Sequence, residues 1–168
     1  MGILNDLKNI ISSNNVKPEN IENKYSEYAP GQNGIKYTKE LAIPTANNYC
    51  KQIVESINIC KSTLNVKTFF SRYGLALHRT VELQRMGNLV KLKEDPKKTE
   101  QYLLDNRDDE INGLIDRISW DLHDKNNKLK KPKSEKEVAE SLRSKFVGYE
   151  KEMTPSSLEH LEYLTRNI

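Results

Sequence analysis

Asp109, Asp116 and His123 recur every seven residues, with Gly113 and Trp120 between them, so on a helix all five fall along one stripe. Carboxylates, an imidazole and a tryptophan on one face could line the site of a metal-dependent hydrolase. The run Trp120-Asp121-Leu122-His123-Asp124 supplies two further carboxylates. At 1.5 Å of rise per residue, however, Asp116 and His123 stand about 10 Å apart along the axis, too far to hold one metal without ligands from other helices. A solvated helix face, with Trp120 half-buried against a neighbour, accounts for the same residues more simply. The other histidines, His78 and His160, sit in no metal-binding spacing, and the sequence carries no Gly-rich phosphate loop, His-Glu-x-x-His, Cys-x-x-Cys or Gly-x-Ser-x-Gly. No catalytic residue, metal ligand or cofactor is assigned on these grounds.

The second group with chemical potential is cationic. Lys67, Arg72, Arg79 and Arg85 project from the side of a helical pattern opposite its apolar stripe, and Lys61, Lys91 and Lys93 lie nearby. Phosphates would need such residues on one exposed face. The aromatic residues of the same segment, Phe69, Phe70 and Tyr73, fall on the apolar stripe, which leaves no platform for stacking bases. A separate basic turn follows at Lys128, Lys130, Lys131 and Lys133.

The elements that must position these residues are helical. Ala46, Tyr49, Cys50, Ile53, Ile57 and Cys60 predict an amphipathic helix capped by Thr45, since Pro44 disfavours helix at Ile43. Val66, Phe69, Phe70, Tyr73, Leu77 and Val81, widened by Ala76, Leu83 and Met86, predict a second helix capped by Asn65, with Glu82 on its polar side and Gly74 as a point of close packing. Asp95-Pro96 opens a third. The carboxylates Asp105, Asp108, Asp109 and Glu110 suit the first turn of a helix and point to a kink or a fresh start near Asn106, beyond which the pattern carries Ile111, Leu114, Ile115, Ile118 and Leu122. Ser134 and Glu137 form a capping box ahead of Val138, Leu142, Phe146 and Tyr149, and Thr154-Pro155 starts a last helix with Leu158, Leu161, Leu164 and Ile168 facing inward.

Ahead of this region, Ile3, Leu4, Leu7, Ile10 and Ile11 predict a short amphipathic helix, followed by a loop-rich linker with a turn at Pro30-Gly31-Gln32-Asn33-Gly34 and an irregular Ile35–Thr38. Asp6 stands where a myristoylation signal would need Ser or Thr. The expected fold is therefore an all-α, single-domain helical bundle of about six to seven helices. Residues 1–44 form its N-terminal helix and linker and residues 45–168 the bundle.

Charge is segregated along the chain, whose formal net is +3. Residues 45–93 hold eight Lys/Arg against Glu55 and Glu82, while residues 94–133 hold nine against ten acids and residues 134–168 five against seven. A basic middle followed by acidic helices can recruit an acidic partner, or can be covered by the chain's own residues 105–124. Cys50 and Cys60 would lie about 15 Å apart on one helix, too far to bridge, so both read as free thiols on an apolar face in a reducing cytoplasm. No apolar run approaches the length of a membrane span.

The run Thr68-Phe69-Phe70-Ser71-Arg72-Tyr73, followed by Leu75, Leu77 and Glu82-Leu83, together with Met153-Thr154-Pro155, resembles small uncharacterised helical proteins of Firmicutes bacteria and their mobile elements. The resemblance implies a bacterial or phage-derived helical protein and carries no activity. The function expected from the residues is a non-enzymatic protein–protein interaction or regulatory module whose partner is another protein or a second copy of the chain. Nucleic-acid binding through Lys67, Arg72, Arg79 and Arg85 is the alternative, and a metal-dependent hydrolase around Asp116 and His123 a further one.

Overall fold

The computed structural model describes residues 17–18, 39–86, 90–92 and 94–166. These form an all-α helical protein, as the periodicity predicts. Six helices occur among the described residues: α1 (Lys39–Ser62), α2 (Val66–Arg85), α3 (Pro96–Asp105), α4 (Arg107–Asn127), α5 (Glu135–Phe146) and α6 (Pro155–Arg166). One small addition is an antiparallel ladder of two residues a side, β1 (Lys17–Pro18) with β2 (Val90–Lys91), pairing Lys17 with Lys91 and Pro18 with Val90. So short a pairing has no periodicity of its own to betray it in sequence. The expected N-terminal helix, the Pro30–Gly34 turn, the Ile35–Thr38 segment and Ile168 lie outside the described residues.

The start of α1 corrects the sequence reading. The helix begins at Lys39 and runs through Pro44, so Thr45 is not its cap. Pro44 sacrifices one backbone hydrogen bond. The apolar stripe nevertheless extends a full turn upstream, because Ala42 and Ala46 are both buried and continue the line of Cys50, Ile53, Ile57 and Cys60. In α2, Asn65 caps as expected, its Oδ1 accepting from Thr68 N at 2.9 Å. The buried line of that helix runs Val66, Phe69, Phe70, Tyr73, Ala76, Thr80 and Leu83, leaving Leu77 and Val81 half-buried. Two residues depart from expectation. Glu82 is only 2 % exposed rather than solvated, and its Oε1 accepts from Arg85 at 2.9 Å. Gly74 is exposed, and a Cβ added there would meet nothing within 4 Å, so close packing is not why this position is glycine.

The chain divides into two compact units. The first comprises Met1–Asn58 and Arg72–Asp105. Here the upper parts of α1 and α2 are tied by Arg79, whose Nε donates to Gln52 Oε1 at 2.7 Å while its guanidinium lies 4.2 Å over the Tyr49 ring. The Tyr73 hydroxyl donates to the Leu103 carbonyl and Gln84 Nε2 donates to Glu100 Oε2, which fixes α3 against α2. Asp95 opens α3 as predicted, with Oδ1 accepting from Lys97 N at 3.0 Å.

The second unit comprises Ile59–Ser71 and Asn106–Ile168. In it α4, α5 and α6 each touch the other two. Ile111, Leu114, Ile115 and Ile118 of α4 are buried, as are Val138, Ala139, Leu142 and Phe146 of α5. On α6 the buried positions are Ser157 and Thr165; Leu161 and Leu164 are half-buried, and Leu158 is exposed rather than inward. The Phe70 ring stacks on Tyr149 at 5.5 Å between centroids and meets Phe69 edge to face at 5.3 Å. Asn106 carries non-helical backbone, φ −101° and ψ 8°, and the fresh start there places Asp108, Asp109 and Glu110 in the first turn of α4. The capping box is complete, with Ser134 Oγ accepting from Glu137 N at 3.3 Å and Glu137 Oε2 accepting from Ser134 N at 2.8 Å. Gly148, just past α5, has φ 89°, a left-handed conformation that favours glycine, and it lets the chain turn towards α6.

Candidate interaction surface

Helices α4 and α6 run parallel. Arg107, the first residue of α4, donates from its guanidinium to the Glu152 carbonyl at 2.8 Å just ahead of α6, and farther along Asp116 Oδ1 lies 2.6 Å from His160 Nε2. The carboxylate of the seven-residue stripe therefore has an imidazole partner, and it is His160 rather than His123. His123 is exposed. Among the described residues no group of three or more His, Cys, Asp or Glu side chains could hold a metal ion.

Trp120 stands one turn beyond Asp116, and Tyr163 nearly one turn beyond His160. Because the two helices run in the same direction, both aromatics fall just past the Asp116–His160 contact, one on each helix. Trp120 is 76 % exposed and Tyr163 60 % exposed. The expectation of a half-buried tryptophan is thus corrected: among the described residues of its unit, none covers this face of α4. The Arg166 guanidinium lies 6.0 Å over the Tyr163 ring. Asp109, Asp116 and Glu159 are exposed on the same two helices, so the aromatic surface is acidic at its edges. His160 and Tyr163 escape sequence reasoning because nothing marks α6 as the neighbour of the Asp116 face; only the parallel packing does.

The cationic residues of α2 do not share one fate. Arg79 is held by Gln52 and Tyr49, and Arg85 by Glu82. Arg72 is half-buried and Lys67 exposed. At 100° per residue, Lys67 and Arg85 lie on one line of the helix some 27 Å apart, with Arg72 and Arg79 on another line roughly 130° away. Lys61, near the end of α1, pairs with Glu110 of α4 at 3.1 Å, so at this point a basic side chain is met by the acidic cluster downstream.

A separate concavity lies at the turn that joins α4 to α5. It encloses about 140 Å³ and is lined by Leu122, Lys125, Asn126, Leu129, Lys133, Val138 and Ser141. Asn126 braces its rim, with Nδ2 donating to the Lys133 carbonyl at 3.0 Å and Oδ1 accepting from Lys133 N at 2.8 Å. Lys125 and Lys128 are paired one turn back along the helix with Asp121 and Asp124, at 2.8 and 2.7 Å. The hydrogen bond to Asp124 raises the pKa of the Lys128 ammonium. No helix among the described residues is long and apolar enough to cross a membrane.

Comparison with protein-family models, with curated proteins and with solved structures finds no match.

Proposed function

We propose that the chain is a non-enzymatic helical protein–protein interaction module, and that the α4–α6 face carrying Trp120 and Tyr163 receives a basic segment of a partner protein. The observation that carries this reading is the exposure of Trp120, the one tryptophan of the chain, on α4, with Tyr163 exposed on the neighbouring α6. Large aromatic side chains left in water are poor for solubility and are the residue types that dominate binding energy at interfaces. The chemistry of the occupant follows from the surroundings. Asp109, Asp116 and Glu159 favour cations, and an exposed indole offers its face to a lysine or arginine. The Asp116–His160 contact holds the two helices in register, so both aromatics are presented on rigid elements.

The test uses the tryptophan itself. Titrating the full chain with an Arg/Lys-rich alanine-based peptide is expected to shift the tryptophan emission saturably, whereas a Glu-rich counterpart leaves it unchanged. With a dye-labelled basic peptide, Trp120→Ser should weaken binding by about tenfold and Tyr163→Ser by less. Equal affinity of Trp120→Ser and the unmodified chain would remove this face from consideration.

A further inference from the structure

We propose that the concavity at the turn joining α4 to α5 is a second binding site, one that takes a single bulky apolar side chain from an acidic peptide segment. Its lining combines the aliphatic side chains of Leu122, Leu129 and Val138 with Lys125 and Lys133. A volume of about 140 Å³ is well below the roughly 300–1,000 Å³ of sites that enclose whole small-molecule ligands. It matches the space that a benzene-sized group fills in an apolar cavity, about 150 Å³. The natural occupant is therefore one phenylalanine or leucine side chain rather than a cofactor or a long acyl chain.

Charge selects what flanks that side chain. Lys130, Lys131, Lys133 and Lys136 are exposed around the turn and the start of α5, and none of them makes an ion pair among the described residues. Of the nearby carboxylates, Asp121 and Asp124 pair with Lys125 and Lys128, Glu137 accepts from the Ser134 cap and feels the charge of Lys133, and Glu135 opens α5. Residues 125–137 hold six lysines against Glu135 and Glu137, so the surplus around the pocket is positive, and it sits on a turn already braced by Asn126 and by the capping box. Little ordering remains for a ligand to impose. Nucleic acid would find the same lysines, but the pocket offers no aromatic ring on which a base could stack.

The site is independent of the Trp120 face, and the experiment keeps them apart. The full chain is titrated into three dye-labelled probes: a peptide of alternating Asp and Glu with one central Phe, the same peptide with central Ala, and a mixed-sequence single-stranded DNA of equal charge. Saturable binding of the Phe peptide is expected, about tenfold weaker for the Ala peptide and for the variants Leu129→Glu and Lys133→Glu, and unchanged in Trp120→Ser. Leu129 is exposed in the turn, and the Lys133 change spares the backbone atoms bonded to Asn126, so circular dichroism should show unaltered helicity in both. Equal affinity for the Phe and Ala peptides would overturn the pocket in favour of charge alone. Tighter binding of the DNA, insensitive to Leu129→Glu, would overturn it in favour of nucleic acid, and no saturable binding of the Phe peptide at low salt would overturn it outright.

Discussion

The guanidinium of Arg117 donates to the carbonyl of Cys60 at 2.7 Å, across fifty-seven residues of chain, and reaches the carbonyl of Thr63 at 3.3 Å. Those carbonyls lie at the C-terminal end of α1, where backbone oxygens lack partners within the helix and the helix dipole favours a cation. Gly113, one turn earlier on α4, leaves room beside Arg117: a Cβ there would come to 3.4 Å from the guanidinium. Burial lowers the pKa of Arg117, and the nearby Glu110 carboxylate opposes that shift.

Arg117→Met is therefore expected to destabilise the protein by about 1–2 kcal/mol, since it removes charge-assisted hydrogen bonds from half-buried carbonyls. Arg117→Lys should recover part of the loss, because one ammonium cannot reproduce the fork that spans both carbonyls. Denaturant midpoints of the three proteins at a common slope would measure this. Equal midpoints for Arg117→Met and the unmodified chain would show that the contact contributes nothing.

Gly74 offers a stabilising change. It sits mid-helix and exposed, with space for a methyl group, so Gly74→Ala should raise stability by about 0.5–1 kcal/mol through helix propensity and a less flexible unfolded chain. A rise in thermal midpoint checks it.

The capping box predicts an acid dependence with a definite sign. Hydrogen bonds from the Ser134 backbone and side chain lower the pKa of Glu137, so the folded state favours its ionised form. That contribution is complete above the ordinary glutamate range and is lost as the pH falls through the lowered folded value. Ser134→Ala should cost about 1 kcal/mol near neutrality. In Glu137→Gln the corresponding part of the acid slope should disappear, as read from denaturation midpoints in the acid range.

Cys50 predicts the opposite limb. Burial pushes its thiol from 9.0 up to about 12, which means that unfolding releases a proton more readily than the native state does. Its contribution is intact below pH 9.0 and is lost as the pH rises towards about 12, so Cys50→Ala should show a shallower alkaline loss of stability than the unmodified chain. Both cysteines are buried, and the Cys60 thiol donates to the Phe69 carbonyl at 3.4 Å. Neither should react with a thiol reagent at neutral pH until the chain is unfolded.

What the sequence by itself determined is local. Capping by Asn65, Asp95 and Ser134, the proline starts at Pro96 and Pro155, the break at Asn106 and the apolar stripes are all governed by interactions within a turn or two, so they can be read from neighbouring residues. The helix through Pro44 shows the limit: it starts ahead of the proline and buries Ala42, whose burial depends on what packs against it. Tertiary structure alone decided the rest. It paired Asp116 with His160 forty-four residues away, left Trp120 in solvent, buried Glu82, occupied Arg79 and Arg85 with neighbours, and opened a pocket between Leu122, Leu129 and Val138. Periodicity tells which side of a helix avoids water. Which helix lies alongside, and in which direction it runs, is set by contacts among residues distant in sequence, and the chemistry of this surface depends on those contacts.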